Sequence, residues 1–358
     1  MHIAPLIPQL AAAAAAAAFV TGTQASHPSS HDDQPFTTLV TFGDSYTDDG
    51  RFSWYYDHDD QPPPAGVMPP QESVSASGGL AWGQYVQRDT GAVYYDYAVS
   101  GATCSNEIIS RYLSSLGGPF PSVVDDEIPS FVADVRSNTL YANTTASNTV
   151  YALWIGTNDL GYGAFLTDSQ APGTNITTYI DCVWSVFDTI YSSGGRRFVL
   201  LNTAPLQHAP LYAAQSAGGA GDNQYWLNKT LYNQTEYQNK MLEYTQLVNR
   251  IFNYGAAYET VVEKRWPGVT FDVFDVNKLL SDMIRDPARY LDAPANVTGF
   301  YHHCDANNNS ICTTAPEPLD TFLWYDELHP SNKTSSVIAK EFVSVAKGES
   351  AYGTRFAR

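Results

Sequence analysis

Short, almost unbroken apolar runs recur along this chain, at Leu39–Phe42, Val93–Tyr95, Val150–Ile155, Phe198–Leu201 and Phe271–Phe274. A strand with one wet face alternates polar and apolar residues. A run that is apolar throughout is a strand covered on both faces, as in a parallel sheet between helices. Helical spacing fills the intervals. Ile176, Tyr179, Ile180, Val183, Val186, Phe187 and Ile190 recur three and four apart, after Pro172-Gly173 and before Gly194-Gly195, where start and stop signals belong. A second pattern runs from about Glu236 to Lys264, with Met241, Tyr244, Val248 and Ile251 on one face. A third follows Pro330 and carries Ile338, Phe342 and Val345. Alternating strand and helix predicts an α/β fold of three layers. Pro/Gly/Asn-rich insertions at about 57–79, 204–230 and 286–320 are surface loops long enough to shape a binding cleft.

Charge and composition narrow the partners. Among 358 residues, 19 Lys+Arg stand against 37 Asp+Glu, a formal net charge of −18. That sign argues against nucleic acid and against an anionic membrane surface, both of which are held mainly by Lys and Arg. A hydrophobic content of 44% supports a core, whereas charged residues, at 16%, fall below the roughly 25% usual in soluble domains. The polar surface therefore falls to Ser, Thr, Asn and Tyr, which suits a secreted protein.

The N-terminus agrees with export. Leu10 to Val20 is apolar, too short to span a bilayer, and small residues follow around Ala25. A signal peptide is expected over 1–25 and a single domain over 26–358, since no internal repeat divides the chain. Asn143, Asn175, Asn228, Asn233, Asn296, Asn308 and Asn332 each open an Asn-x-Ser/Thr sequon. Cys104, Cys182, Cys304 and Cys312 permit three pairings in an oxidising compartment. Closeness in sequence favours Cys304 with Cys312, which leaves Cys104 with Cys182. A metal site at Cys304 beside His302, His303 and Asp305 is the weaker alternative.

Chemistry-bearing residues sit where strands end. The first run leads into Gly43-Asp44-Ser45, the second into Ser100-Gly101, and the third into Gly156-Thr157-Asn158-Asp159. Open α/β sheets place ligands at such carboxyl ends. A glycine lets the backbone approach a bound oxygen, and an Asn amide can face a developing oxyanion. Asp326-Glu327-Leu328-His329 precedes the last helix, a spacing at which a carboxylate can hold an imidazole tautomer on a turn. His58, among Asp57, Asp59 and Asp60, reads as a solvated acidic loop, and His208 carries no assignment.

In this order, Gly43-Asp44-Ser45, Gly101, Gly156-x-Asn158-Asp159 and Asp326-x-x-His329 resemble the four blocks of the GDSL, or SGNH, hydrolase superfamily. Tyr46 stands where that family has Leu. The flanks FGDSYTD (42–48), WIGTNDL (154–160) and NTAP (202–205) resemble secreted fungal acetylesterases of carbohydrate esterase family sixteen. The resemblance implies a flavodoxin-like fold with a five-stranded parallel sheet. It implies Ser45 as nucleophile, His329 as base and Asp326 as its orienting carboxylate. The backbone N–H groups of Ser45 and Gly101, with the Asn158 amide, would form the oxyanion hole. No metal or cofactor is implied. Asp44 and Asp159 are expected to fix loop geometry. The expected substrate is an acylated carbohydrate or other small ester. Trp54, Tyr55, Tyr56, Tyr225 and Trp226 are candidates for stacking on sugar. The sequence leaves the oligomeric state open.

Overall fold

Each of the five apolar runs is a strand in the computed structural model, which describes residues 35–357. The signal peptide expected over 1–25 lies outside the described residues. The chain opens with β1 (Thr38–Gly43), α1 (Arg51–Asp57), α2 (Trp82–Thr90) and β2 (Val93–Asp96). A hairpin of β3 (Tyr112–Leu113) and β4 (Gly118–Pro119) precedes α3 (Ile128–Ser137) and β5 (Thr149–Trp154). Then come α4 (Thr157–Leu160), α5 (Ile176–Ser192), β6 (Arg197–Leu201), α6 (Gln234–Ala257), β7 (Thr270–Phe274) and α7 (Val276–Arg285). The C-terminal part holds β8 (Asn296–Phe300), β9 (His302–Asp305), β10 (Asn308–Thr314), β11 (Phe322–Trp324), α8 (Asn332–Ala346) and β12 (Gly353–Ala357).

The central sheet has the order β12-β7-β6-β5-β1-β2. Its five inner and N-terminal strands are parallel, as expected. The sixth, β12, runs antiparallel along β7, so the sheet is six-stranded and mixed instead of five-stranded and parallel. The sequence of β12 (GTRFA) has no apolar run to announce it. Instead the Arg355 guanidinium forks onto Asp272 at 2.8 and 2.9 Å.

Register explains the layers. Val40, Tyr151, Phe198 and Phe271 are successive cross-strand partners and share one face. Phe131 of α3 meets Phe42 and Tyr151 there, and Phe187 of α5 meets Phe198 and Phe271. Phe252 of α6 packs behind Trp184 of α5. On the other face Leu39 partners Tyr94, which lies against Gly83 of α2, and Trp82 of α2 packs on Phe342 of α8. Helices therefore cover both faces, and the buried apolar residues form one contiguous core. Phe187 is fully buried in it, so Phe187→Ala would cost about 3–5 kcal/mol.

The three expected helices form. The second ends at Ala257 and continues only as a wide π-helical turn, Tyr258–Val262. The 286–320 insertion is not a plain loop, since β9 and β10 pair in a hairpin and β8 pairs with β11. Cys304 is bonded to Cys312 and Cys104 to Cys182. Strand order also fixes where a site can lie. From β1 the chain moves out to β2 and then crosses back to β5 on the opposite side of β1, and ligands of open α/β sheets sit at the carboxyl ends of such a switch point.

Candidate active site

At the switch point Gly43 of β1 is paired with Trp154 of β5. Gly43 has φ 146°, and a Cβ there would fall 2.2 Å from the Trp154 carbonyl oxygen, so only glycine lets the strand ends close up. A tight turn follows, closed by the Thr47 N–H donating to the Asp44 carbonyl at 2.8 Å. It leaves Ser45 half-buried at the rim.

Asp326 and His329 come from the turn between β11 and α8. Asp326 Oδ1 accepts from the N–H groups of Leu328 and His329, both at 2.8 Å, so the carboxylate shapes the turn it stands on. His329 Nδ1 lies 2.9 Å from each Asp326 oxygen, and His329 Nε2 lies 2.7 Å from Ser45 Oγ. An ionised carboxylate only accepts, so the ring proton belongs on Nδ1, and Nε2 is free to accept from the hydroxyl. Both groups are buried, Asp326 at 4% and His329 at 6% exposure. Burial would raise the Asp326 carboxyl, but the charge and hydrogen bonds of His329, aided by Tyr225, hold it below its ordinary 3.8. Burial likewise opposes a charge on His329, yet the charge and hydrogen bond of Asp326 outweigh it and lift the ring above 6.5.

On the other side of Ser45 stand hydrogen-bond donors. Gly101 has φ 88°, and a Cβ there would lie 2.2 Å from the Phe120 ring. Among the described residues neither the Ser45 nor the Gly101 backbone N–H has a protein acceptor. Asn158, in the first turn of α4, donates from Nδ2 to the Ala102 carbonyl at 2.8 Å. Its Oδ1 accepts from Arg111 Nη1 at 2.5 Å. Three separate pieces of chain thus bring two free N–H groups and an oriented amide to one rim. Asp44 and Asp159 hold loops instead: Asp44 Oδ1 accepts from the Tyr46 N–H at 3.0 Å, and Asp159 Oδ1 from the Cys104 N–H at 2.9 Å. Burial pushes each carboxyl up to about 7.

Ser45, Gly101, Asn158 and His329 line one cleft of about 480 Å³, together with Phe52, Arg111, Tyr162, Tyr212, Gln224 and Tyr225. Of the aromatics proposed for stacking, Tyr225 alone lines it. Tyr55 and Trp226 are buried in the core, Tyr56 is exposed elsewhere, and Trp54 stacks on His58 at 3.9 Å. Tyr162 and Tyr212 line it as well, Tyr212 almost wholly buried. His208 is exposed. His302, Cys304 and Cys312 have ligand atoms within 4.8 Å of one another, but both sulfurs are joined in a disulfide.

Three contacts escaped sequence reasoning. The Tyr225 hydroxyl donates to Asp326 Oδ2 across 101 residues, and Arg111 reaches Asn158 across 47. Nothing local marks either pair. Tyr46, the departure from Leu after the serine, donates its hydroxyl to the Leu328 carbonyl at 2.8 Å; that departure was the available signal.

A hydroxyl in line with an imidazole and a buried carboxylate, facing free N–H groups at the switch point, is the equipment of acyl transfer, and the protein is a carboxylic ester hydrolase. The family model for GDSL-like lipase/acylhydrolase matches residues 39–342, and the chain belongs to that family. It is 56% identical over 327 residues to an acetylesterase of Hypocrea jecorina, covering 91% of this chain and 93% of that protein. An acetylesterase of Thermothelomyces thermophilus is 23% identical over 318 residues, 87% of this chain and 88% of its own. Among solved structures, an α/β hydrolase named LAE5 from the Lake Arreo metagenome aligns over 89% of this chain and 98% of its own, at 12% identity and a TM-score of 0.41.

Proposed function

We propose that the protein is a secreted serine esterase that removes short acyl groups, acetyl above all, from carbohydrate esters such as acetylated hemicellulose oligosaccharides. The observation that carries the mechanism is the hydrogen-bonded line from Ser45 Oγ through His329 to Asp326, at 2.7 and 2.9 Å. Ser45 Oγ attacks the ester carbonyl while His329 Nε2 takes its proton, and Asp326 balances the imidazolium. The tetrahedral oxyanion is held by the N–H groups of Ser45 and Gly101 and by the Asn158 amide. Each such donor accounts for about 10²–10³ in rate. His329 returns the proton to the departing sugar oxygen, leaving an acyl ester on Ser45. Water then attacks with the same base, so one ester and one water give one acid and one alcohol.

Support for the substrate comes from the cleft and from the relatives. Tyr162, Tyr212, Tyr225, Gln224 and Arg111 line the cleft, and aromatic faces with polar tips suit a hydroxylated ring better than a long alkyl chain. Two relatives bear the name acetylesterase. Export is supported by the short apolar run at Leu10–Val20, read as a signal peptide, and by two disulfides. Exposed sequon residues at Asn143, Asn175, Asn228 and Asn233 point the same way. No described helix is long and apolar enough to cross a membrane. Asn332, three residues beyond His329, is half-buried with its side-chain oxygen enclosed, unlike those four sequon residues.

The test is an activity panel of acetylated xylo-oligosaccharides and p-nitrophenyl esters from acetyl to octanoyl, with Ser45→Ala as control. Turnover should fall at least tenfold from acetyl to octanoyl, and a fluorophosphonate should label Ser45 stoichiometrically. A rise toward octanoyl would replace the short-acyl assignment with a lipase-like one. A wild-type protein that resists labelling would be a binding protein on an esterase fold.

A further inference from the structure

We infer that Arg111 is the positioning residue of the oxyanion hole, fixing which end of the Asn158 carboxamide faces the ester; this rests on the serine mechanism proposed above. The two ends of an Asn amide are nearly equal in size, so sterics alone do not choose between them. Turned the wrong way, the side chain would present its oxygen to a developing oxyanion and repel it. Two partners hold both ends here. The Ala102 carbonyl can only accept, and it takes an N–H from Nδ2 at 2.8 Å. The Arg111 guanidinium can only donate, so the end it meets, at 2.5 Å, is Oδ1. One Nδ2 hydrogen is left without a protein acceptor among the described residues.

The sequence builds a support for this contact. Arg111 and Phe120 sit at the two ends of the β3–β4 hairpin, joined by the Phe120 N–H donating to the Arg111 carbonyl at 2.9 Å. The guanidinium lies over the Phe120 ring, 5.3 Å from its centroid. That same ring closes on Gly101, where a Cβ would collide with it. Arg111 also reaches the Gly101 carbonyl at 3.4 Å, a weak contact. One hairpin therefore steadies two of the three donors, Gly101 through Phe120 and Asn158 through Arg111. Arg111 makes no contact ion pair among the described residues, although the buried Asp159 and Asp44 carboxyls act on it through space.

The experiment compares Arg111→Met and Arg111→Lys, each alone and combined with Asn158→Ala, on p-nitrophenyl acetate. Arg111→Met should lower kcat about 10–100-fold with KM changed less than threefold, part of the roughly 10²–10³ lost when a donor is removed outright. Arg111→Lys should recover part of that loss. In the Asn158→Ala background Arg111→Met should cost less than twofold more, because the group it positions is gone. Equal losses in both backgrounds, or a change confined to KM, would overturn the assignment. Should the Met variant fail to fold, the Lys variant in the two backgrounds gives the same comparison. Ser45→Ala separates the two claims. Full activity there removes the serine mechanism itself, whereas an inactive Ser45→Ala leaves the Arg111 results to speak for Arg111.

Discussion

The Tyr225 hydroxyl donates to Asp326 Oδ2 at 2.7 Å. With the Leu328 and His329 N–H groups on Oδ1 and the imidazole facing both oxygens, the carboxylate is held on every side. Its rotation is therefore fixed from the 204–230 insertion as well as from its own turn. Tyr225→Phe keeps the ring edge-on to His329 but removes the donor. One hydrogen bond to a charged group is worth about 1.5 kcal/mol, which corresponds to roughly a tenfold lower kcat with KM little changed. Steady-state kinetics on p-nitrophenyl acetate check this; wild-type kcat would show that the hydroxyl is idle.

Tyr46 ties the serine turn to the histidine turn. Its hydroxyl holds the Leu328 carbonyl, and its ring packs edge-on against Trp154 and His329. Tyr46→Phe should cost about 1–2 kcal/mol of stability through the unpaired buried carbonyl. Tyr46→Leu, which restores the family's commoner residue, should cost more, because the aromatic contacts go too. Denaturant unfolding of the two variants ranks them, and a Leu variant at least as stable as the Phe variant would contradict the tether.

How far the sequence could be read follows from which contacts are local. The five parallel strands were legible because strands buried on both faces are written as unbroken apolar runs. The 176–190 stripe was legible because seven apolar residues keep one face. β12 was hidden because it is only half-buried and is held by its ladder on β7 and by Arg355 on Asp272, a pair 83 residues apart. Ser45, Asn158 and His329 could be singled out because each follows a strand or precedes a helix in a family-like block. Arg111 and Tyr225 could not, since each acts on a partner that only the folded chain brings near.

The acid limb of activity should lie above 6.5. In the proposed mechanism His329 must be neutral to accept the Ser45 proton, and Asp326 raises its pKa despite burial. A raised pKa means the ring keeps its proton to higher pH, so the enzyme loses rate earlier on acidification than a free histidine would dictate. The profile of kcat/KM from pH 4.5 to 9 should show a single-proton limb with its midpoint above 6.5. Asp326→Asn removes the cause, so the limb should move down while kcat falls about 10⁴-fold. A midpoint at or below 6.5 in the wild type would mean that burial wins at the ring.

Stability should run the other way. Burial raises Asp44, Asp49 and Asp159 from 3.8 to about 7. Between those values the folded chain holds protons that the unfolded chain has released, so unfolding free energy falls as pH rises through that window. Asp326, shifted below 3.8, acts with the opposite sign but only at lower pH. The melting temperature should therefore be higher at pH 5 than at pH 8, while activity rises over the same interval. Asp159→Asn keeps an oxygen for the Cys104 N–H and should flatten the slope. Calorimetry at the two pH values decides it, and a flat wild-type curve would remove these carboxyls from the account.

The cleft wall depends on one buried cation. Lys229 is 1% exposed, and its ammonium donates to the carbonyls of Pro210, Ala213 and Ala220 at 3.1, 2.7 and 2.7 Å. Three N–H donors meet three acceptors, so the charge is solvated by backbone in place of water. The loop it gathers carries Leu211 and Tyr212 into the cleft. The Leu211 N–H also donates to the Glu327 carbonyl at 2.6 Å, next to Asp326. Lys229→Met fills similar space but leaves the Ala213 and Ala220 carbonyls unpaired, while Pro210 keeps the Ala220 N–H, at a cost of about 3–5 kcal/mol. The expected result is a lower melting temperature, faster protease cleavage within 204–230 and a higher KM. Fluorophosphonate labelling of Ser45 should persist, because Ser45, Asp326 and His329 stand on other turns. Unchanged cleavage and KM would mean that the wall holds without the ammonium.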